Sequence, residues 1–361
     1  MILPQQLRKA REALALSREE VASRLAISIG ALTAWEDGLE QPPLERLWEL
    51  SELYRRDVDY FLLPHEGLPA ALSFRVTRRH RLQELSLETR QVIAAFDELC
   101  RSAREIESVL ELPQPEPWPT PPRETSGEEL ARVERLRLRI GDKPIVDVRR
   151  LIESLGILCF HLPIPNDEFS GLAWDHPEYG PCILINGGEN PGRRAFTTSH
   201  EYAHLLRRDG DSVCDLQIDN GVEREANRFA TEFLMPAPDV RESFHRRGLS
   251  GSIPSLDGLA GLARRYSVSL EAMSHRLEEL QLVPPGTSRS LDFTSPPSKY
   301  FGRAKPRWRR RVGETVTSNA LEAYGSGRIS IGKLAHYLGI DIRQAMDLAE
   351  KDRETPSPDR A

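Results

Sequence analysis

The sequence predicts a mainly α fold with a small β-sheet, an α+β chain built from more than one domain. Three observations carry this. Apolar residues recur with helical period through most of the chain, with cap signals at Ser17 and Ser28. Strand-like runs are confined to Gly156–Leu162 and to a hairpin pattern joining Ser170–Trp174 to Cys182–Asn186. Prolines 113, 115, 117, 119, 121 and 122 form a stiff extended stretch between two helical regions. At 361 residues the chain exceeds a single compact core. The expected division is 1–64 for an all-helical domain, 65–122 for a connecting helix with the proline-rich linker, 123–285 for a second domain and 286–361 for a basic helical region.

From Leu3 to Leu62 four or five short helices are expected. Ser17-Arg18-Glu19-Glu20 is a capping box ahead of Val21, Ala22 and Leu25. Ser28 caps the next helix, which runs through Trp35 and stops at Gly38. Leu44, Leu47, Trp48, Leu50 and Leu53 follow Pro42-Pro43 as a further apolar pattern. This series, with its Trp35-Glu36-Asp37-Gly38 and Pro42-Pro43 punctuation, resembles the XRE-type helix-turn-helix domain of phage-repressor-like regulators. The resemblance puts Ser28 to Ala34 at the recognition-helix position and implies Ser28, Thr33 and Arg18 as DNA contacts. That segment lacks the Arg, Lys, Gln and Asn side chains that read base edges. Between Met1 and Leu62, eight basic residues face eleven acidic ones, an unfavourable balance for gripping phosphates. A protein-docking or dimerisation role therefore stands as the alternative.

Leu87, Val92, Ile93, Phe96, Leu99, Ile106, Val109 and Leu110 mark a long amphipathic helix between Ser86 and Leu112. It is expected either to pack on the first domain or to pair with its copy in a homodimer. Beyond the proline stretch, helices are expected near Gly127–Arg139 and Ile145–Leu155, then the buried strand Gly156–Leu162 and the hairpin. Ile183-Leu184-Ile185-Asn186 is expected at a sheet edge, where an extended peptide can add as a further strand.

The chemistry concentrates in Ser199-His200-Glu201-Tyr202-Ala203-His204, an H-E-x-x-H pattern. On a helix it puts both imidazoles on one face a turn apart, with the intervening carboxylate beside a metal's open position. A third ligand is needed. The segment Glu223–Pro236 reads as a helix ended by proline, whose stripe Ala226, Phe229, Ala230, Phe233 and Leu234 is buried. Glu223 falls inside the arc of that stripe and Glu225 lies to its side, so the expected ligands are His200, His204 and Glu223, with Glu225 as the fallback. Glu223 reaching solvent at the helix start is the alternative. The cysteines, Cys100, Cys159, Cys182 and Cys214, lack C-x-x-C spacing and are expected to be reduced. Cys214, between the two ligand helices, is a lesser candidate ligand.

Arg193–Ser199 leading into that motif, the E-x-x-A-N-x-F-A-x-x-F-L-M-P segment from Glu223 to Pro236, and Val268-Ser269-Leu270-Glu271-Ala272 together resemble the ImmA/IrrE family of bacterial metallopeptidases, over about Ile145 to Val283. The resemblance implies a zincin-like fold, a divalent ion usually taken as zinc on His200, His204 and Glu223, and Glu201 as general base. It also implies a protein substrate, often an XRE-type repressor, cleaved under stress or to induce a mobile element. Manganese or iron suits the same donor set. Two positions depart from the family pattern: Tyr202 stands where a small or apolar residue is usual, and Ser199 where alanine is common. His275 occupies a position where relatives often carry tyrosine; it is a candidate catalytic donor to the oxyanion, or a surface histidine. The first functional reading is a zinc-dependent endopeptidase coupled to the helix-turn-helix domain. The second is a DNA-binding regulator whose metallopeptidase-like module senses a metal or partner.

In the last region, Lys299, Arg303, Lys305, Arg307, Arg309, Arg310 and Arg311 surround Trp308. Arg307, Arg309 and Arg310 are candidate nucleic-acid contacts, against the alternative of a solvated basic face. Ile329 to Ala349 resembles a second short helix-turn-helix-like pair. No apolar run approaches membrane-spanning length, and the expected location is the cytoplasm, with no membrane partner.

Overall fold

Alternation in the strand sequences fixes the architecture. Leu158, Phe160, Leu162, Leu172, Trp174, Cys182 and Leu184 point to one face of a sheet, and Cys159, Ala173, Ile183 and Ile185 to the other. Both faces are apolar, so both must be covered, and the result is a layered helix–sheet–helix arrangement. The structure, a computed structural model, describes residues 2–62, 84–113, 125–165, 168–208, 212–214, 221–249, 256–291, 293 and 312–354. The basic cluster of residues 299–311, with Arg307, Arg309 and Arg310, lies outside the described residues, as does the Cys214 side chain.

The first domain contains α1 (Ile2–Ala13), α2 (Arg18–Arg24), α3 (Ile29–Asp37), α4 (Leu44–Tyr54) and α5 (Val58–Leu62). The cap signals act as expected. Ser17 and Glu20 close a capping box, Ser28 Oγ accepts from the Ala31 amide, and Gly38 ends α3 in the left-handed conformation at φ 74°. Leu7, Leu14, Val21, Leu32, Trp35, Leu47, Leu50, Tyr54 and Phe61 fill a core of their own.

The long helix α6 (Leu87–Val109), capped by Ser86, is no free connector. Its Arg90 and Gln91 donate to the Leu14 and Leu53 carbonyls, and its Asp97 and Glu98 pair with the buried Arg56 of the first domain. Phe96, Cys100 and Ile106 meanwhile pack on the sheet, so one helix serves two cores.

The second domain continues with α7 (Gly127–Arg137), α8 (Val148–Glu153), β1 (Leu158–Leu162), β2 (Gly171–His176), β3 (Gly180–Asn186), α9 (Pro191–Arg207), β4 (Ser212–Cys214), α10 (Gly221–Leu234), α11 (Ala237–Arg246), α12 (Leu256–Arg265), α13 (Leu270–Glu279) and α14 (Thr287–Ser290). The sheet order is β1-β3-β2-β4. β2 and β3 form the expected hairpin, antiparallel from Gly171↔Ile185 to His176↔Gly180. β1 lies parallel to β3, with Leu158↔Cys182 and Leu162↔Asn186 in register. This corrects one expectation: Ile183–Asn186 is not an edge. β3 is paired on both sides, and its continuous run of buried residues is what a central strand requires. Among the described residues, β1 and β4 form the edges.

The last helices, α15 (Glu314–Gly325), α16 (Ile331–Leu338) and α17 (Ile342–Glu354), join α6 over the outer sheet face. Ser330 caps α16, and Gly339 turns the chain into α17, giving the helix-turn-helix-like pair that the sequence suggested. Among the described residues, no helix is long and apolar enough to cross a membrane.

Candidate metal centre

Helix α9 starts where Asn190 accepts from the Arg193 amide and Pro191 takes the first helical position, and it ends at Arg208 in the left-handed conformation. It lies on the inner sheet face, so its second half is buried: His200, Glu201 and Tyr202 through Leu206 all lie inside. Helix α10 crosses it with the apolar stripe Ala226, Phe229, Ala230 and Phe233 fully covered. Glu223, on the first turn of α10, shares that side and is 4% exposed.

The two helices bring three ligand atoms together. His200 Nε2 lies 3.1 Å from Glu223 Oε2 and 3.1 Å from His204 Nε2, and His204 Nε2 is 3.7 Å from Glu223 Oε2. Tetrahedral legs of about 2.0–2.1 Å put ligand atoms about 3.3 Å apart, so this triangle has the size of a divalent-ion site. Asn227, one turn after Glu223, turns the His200 ring: its Oδ1 accepts from Nδ1 at 2.9 Å, which leaves the Nε2 lone pair facing the cluster. With the ring nitrogens unprotonated, lone pairs converge at these distances and repel unless a cation sits between them; a proton shared with Glu223 is the other way to relieve them. The residues therefore fit a metal by number, chemistry and spacing.

Electrostatics favour the binding forms. Burial pushes His200 below the ordinary histidine range, against hydrogen bonds that raise it, and so favours the neutral imidazole a metal needs. Burial works to raise Glu223, but its hydrogen bonds to His200 and His204 outweigh that and hold it down at about 2.

Glu201 is fully buried beside the start of β2. Gly171 explains how: a Cβ there would fall 2.5 Å from Glu201 Oε1 and 2.7 Å from Thr197 Cγ2, so any other residue would have to displace those side chains. Tyr202, the departure inside the motif, points the other way. Its hydroxyl donates to the buried Glu134 of α7, and its ring packs on Phe229 and Phe233.

The fallback ligand is elsewhere. Glu225 Oε2 accepts from the Gly127 amide at 2.6 Å, at the N-terminus of α7, and its other oxygen pairs with Arg228. Gly127 is required there, because a Cβ would lie 2.0 Å from the Glu225 carbonyl oxygen. His275 is exposed on α13 and is not part of the cluster; Arg276, one residue on, turns inward to pair with the buried Glu232. Asn227 and Gly171 were missed from the sequence. Asn227 sits inside the quoted α10 motif, one turn from Glu223, which is the signal that could have found it.

The DNA-contact candidates differ in exposure and pairing. Ser28 is exposed at the N-cap of α3 and Thr33 is half-buried. Arg18 is held by Glu36, Nε to Oε2 at 2.8 Å, beside Arg11 on the same carboxylate. A second group, Asp57, Glu98 and His336, also clusters, but Arg56 and Arg101 pair with Glu98 there. Two guanidiniums already supply the positive charge that an ion would bring.

Residues 152–278 match the family described as the IrrE N-terminal-like domain, and residues 7–61 match a helix-turn-helix family. The chain thus carries one region similar to the IrrE N-terminal-like domain and another similar to helix-turn-helix domains. Both matches fall within the spans that the motifs marked. The radiation response metalloprotease IrrE of Deinococcus radiodurans is 32% identical over 128 residues, which cover 32% of this chain and 38% of that relative. The chain thus spans well under half of that relative's length in the match. At the level these comparisons reach, the chain combines a domain of DNA-binding type with a metallopeptidase-family domain.

Proposed function

We propose that the protein is a zinc-dependent endopeptidase that cleaves a protein regulator, with a transcriptional repressor as the favoured substrate class. One observation carries the reading: three ligand atoms from α9 and α10 converge at 3.1–3.7 Å in a buried cluster, with Glu201 next in chain to one of them. Manganese and iron suit the same donors.

The bound ion supplies Lewis acidity, lowering the pKa of water towards neutrality and polarising a peptide carbonyl. The chain's residues do the rest. Neutral His200 and His204, with ionised Glu223, would hold a divalent ion and leave it a net positive charge. Glu201, buried against Gly171, would take a proton from the attacking water and deliver it to the leaving amide nitrogen. Asn227 keeps His200 in the tautomer that ligates. A helix-turn-helix domain held rigidly by α6 is suited to recruiting the regulator or to placing the enzyme near its operator.

The experiment is a protein-level comparison of cells carrying the intact protein and its Glu201→Gln form. A polypeptide that shortens only with the intact protein supports the reading. If no polypeptide differs while purified protein still holds its metal, the sensor reading replaces it.

A further inference from the structure

Helix α4 has two apolar sides. Leu47, Leu50 and Tyr54 are buried in the first domain's core. Leu44 and Trp48, one turn apart and so neighbours on the helix surface, are 74% and 61% exposed, and Leu39, in the loop leading into α4, is 78% exposed. A tryptophan and a leucine exposed one turn apart are of the residue types that anchor docking sites.

Charge narrows what that is. From Asp37 to Glu52 the sequence holds five acidic residues, Asp37, Glu40, Glu45, Glu49 and Glu52, and a single base, Arg46. Arg46 is itself paired with Glu49 at 2.6 Å. The ion pairs neutralise acids as well as bases: Arg8 and Arg18 pair with Asp37 and Arg55 with Glu52, which leaves the exposed Glu40 and Glu45, on either side of Leu44 in the chain, as the acids of this stretch with no ion pair among the described residues. Duplex phosphates meet the negative charge of Glu40 and Glu45 at this face. A second copy approaching about a two-fold axis would set the same acidic rim against itself. A partner whose apolar pocket is bordered by Lys and Arg meets attraction at both the centre and the rim.

We propose that the Leu44–Trp48 face of α4 docks a basic protein surface, with Trp48 as the anchor that fills its apolar pocket. The inference requires no cleavage, so it stands or falls separately from the peptidase reading.

The test titrates the full chain, by fluorescence anisotropy at physiological salt, into three labelled probes. These are a helical peptide with a leucine stripe flanked by lysines, its glutamate-flanked counterpart, and duplex DNA. Sedimentation reads self-association in parallel. The lysine-flanked peptide binds, and binding weakens about tenfold or more in Leu44→Ser/Trp48→Ser and in Glu40→Lys/Glu45→Lys, while thermal unfolding of these surface variants matches the parent. The glutamate-flanked peptide binds far more weakly. Lysine-peptide binding indifferent to both variants overturns the proposal, as does equal binding of the two peptides. Loss of duplex binding or of self-association in the Leu44→Ser/Trp48→Ser form would assign the face to DNA or to a second copy instead.

Discussion

Glu223 and Glu225 are two residues apart, yet one faces a pair of imidazoles and the other an α-helix N-terminus. The 200° between them on a helical wheel separates their roles, and it was legible once the stripe of α10 was drawn. Glu225→Ala should leave metal content unchanged and cost about 1 kcal/mol through the lost cap on α7, read from denaturant unfolding of the metal-loaded protein. Asn227→Ala should keep the fold and weaken metal affinity by about 10–100-fold, read by competition with a chelator. Gly171→Ala should retain the metal but slow cleavage of an identified substrate by about a hundredfold, because the new methyl displaces Glu201. The position of Gly171 could not be read from the sequence. A strand glycine signals close approach to some neighbour, but the neighbour lies thirty residues along the chain, at Glu201.

At the scale of elements, the caps, the glycine stops and the α10 stripe were all local signals, and the helices formed where they pointed. Strand order was not local. Cys182–Ile185 is a continuous buried run, which is the pattern of a strand covered on both faces, and it was instead expected at an edge. The parallel partner, β1, lies outside the hairpin and across from it, and no periodicity encodes that choice. Of the two readings of His275, the structure has the surface histidine. The rotation of α13 is set by Arg276, whose guanidinium pairs with the buried Glu232 and donates to the Met235 carbonyl, leaving His275 outside. Arg276→Ala leaves the buried Glu232 with Arg132 alone and should lower stability by about 1.5–3 kcal/mol, measured as a shift in urea midpoint with an unchanged slope.

Across the whole molecule, α6 was legible as a long amphipathic helix, but not as the element that unites the first domain, the sheet and the last helices. The last of these meets the first domain directly, where His336 Nε2 lies 2.7 Å from Asp57 Oδ2. That hydrogen bond raises the His336 pKa above the ordinary value, with burial opposing it, Glu98 adding to it and Arg101 reducing it. The stabilising contribution is therefore complete below the unfolded histidine pKa of about 6.5 and is lost as pH rises through the higher folded value. Hydrogen exchange at the ends of α5 and α16 should accelerate across that interval beyond the intrinsic effect of pH, and Asp57→Asn should remove the excess.

The central claim is a single divalent ion held by His200, His204 and Glu223. Elemental analysis of the purified full chain and its Glu223→Ala, Glu225→Ala and His200→Ala/His204→Ala forms tests it directly. The expected result is about one ion per chain in the parent and in Glu225→Ala, with marked loss in the other two. Full metal retention without both histidines, or loss on changing Glu225 but not Glu223, would contradict it.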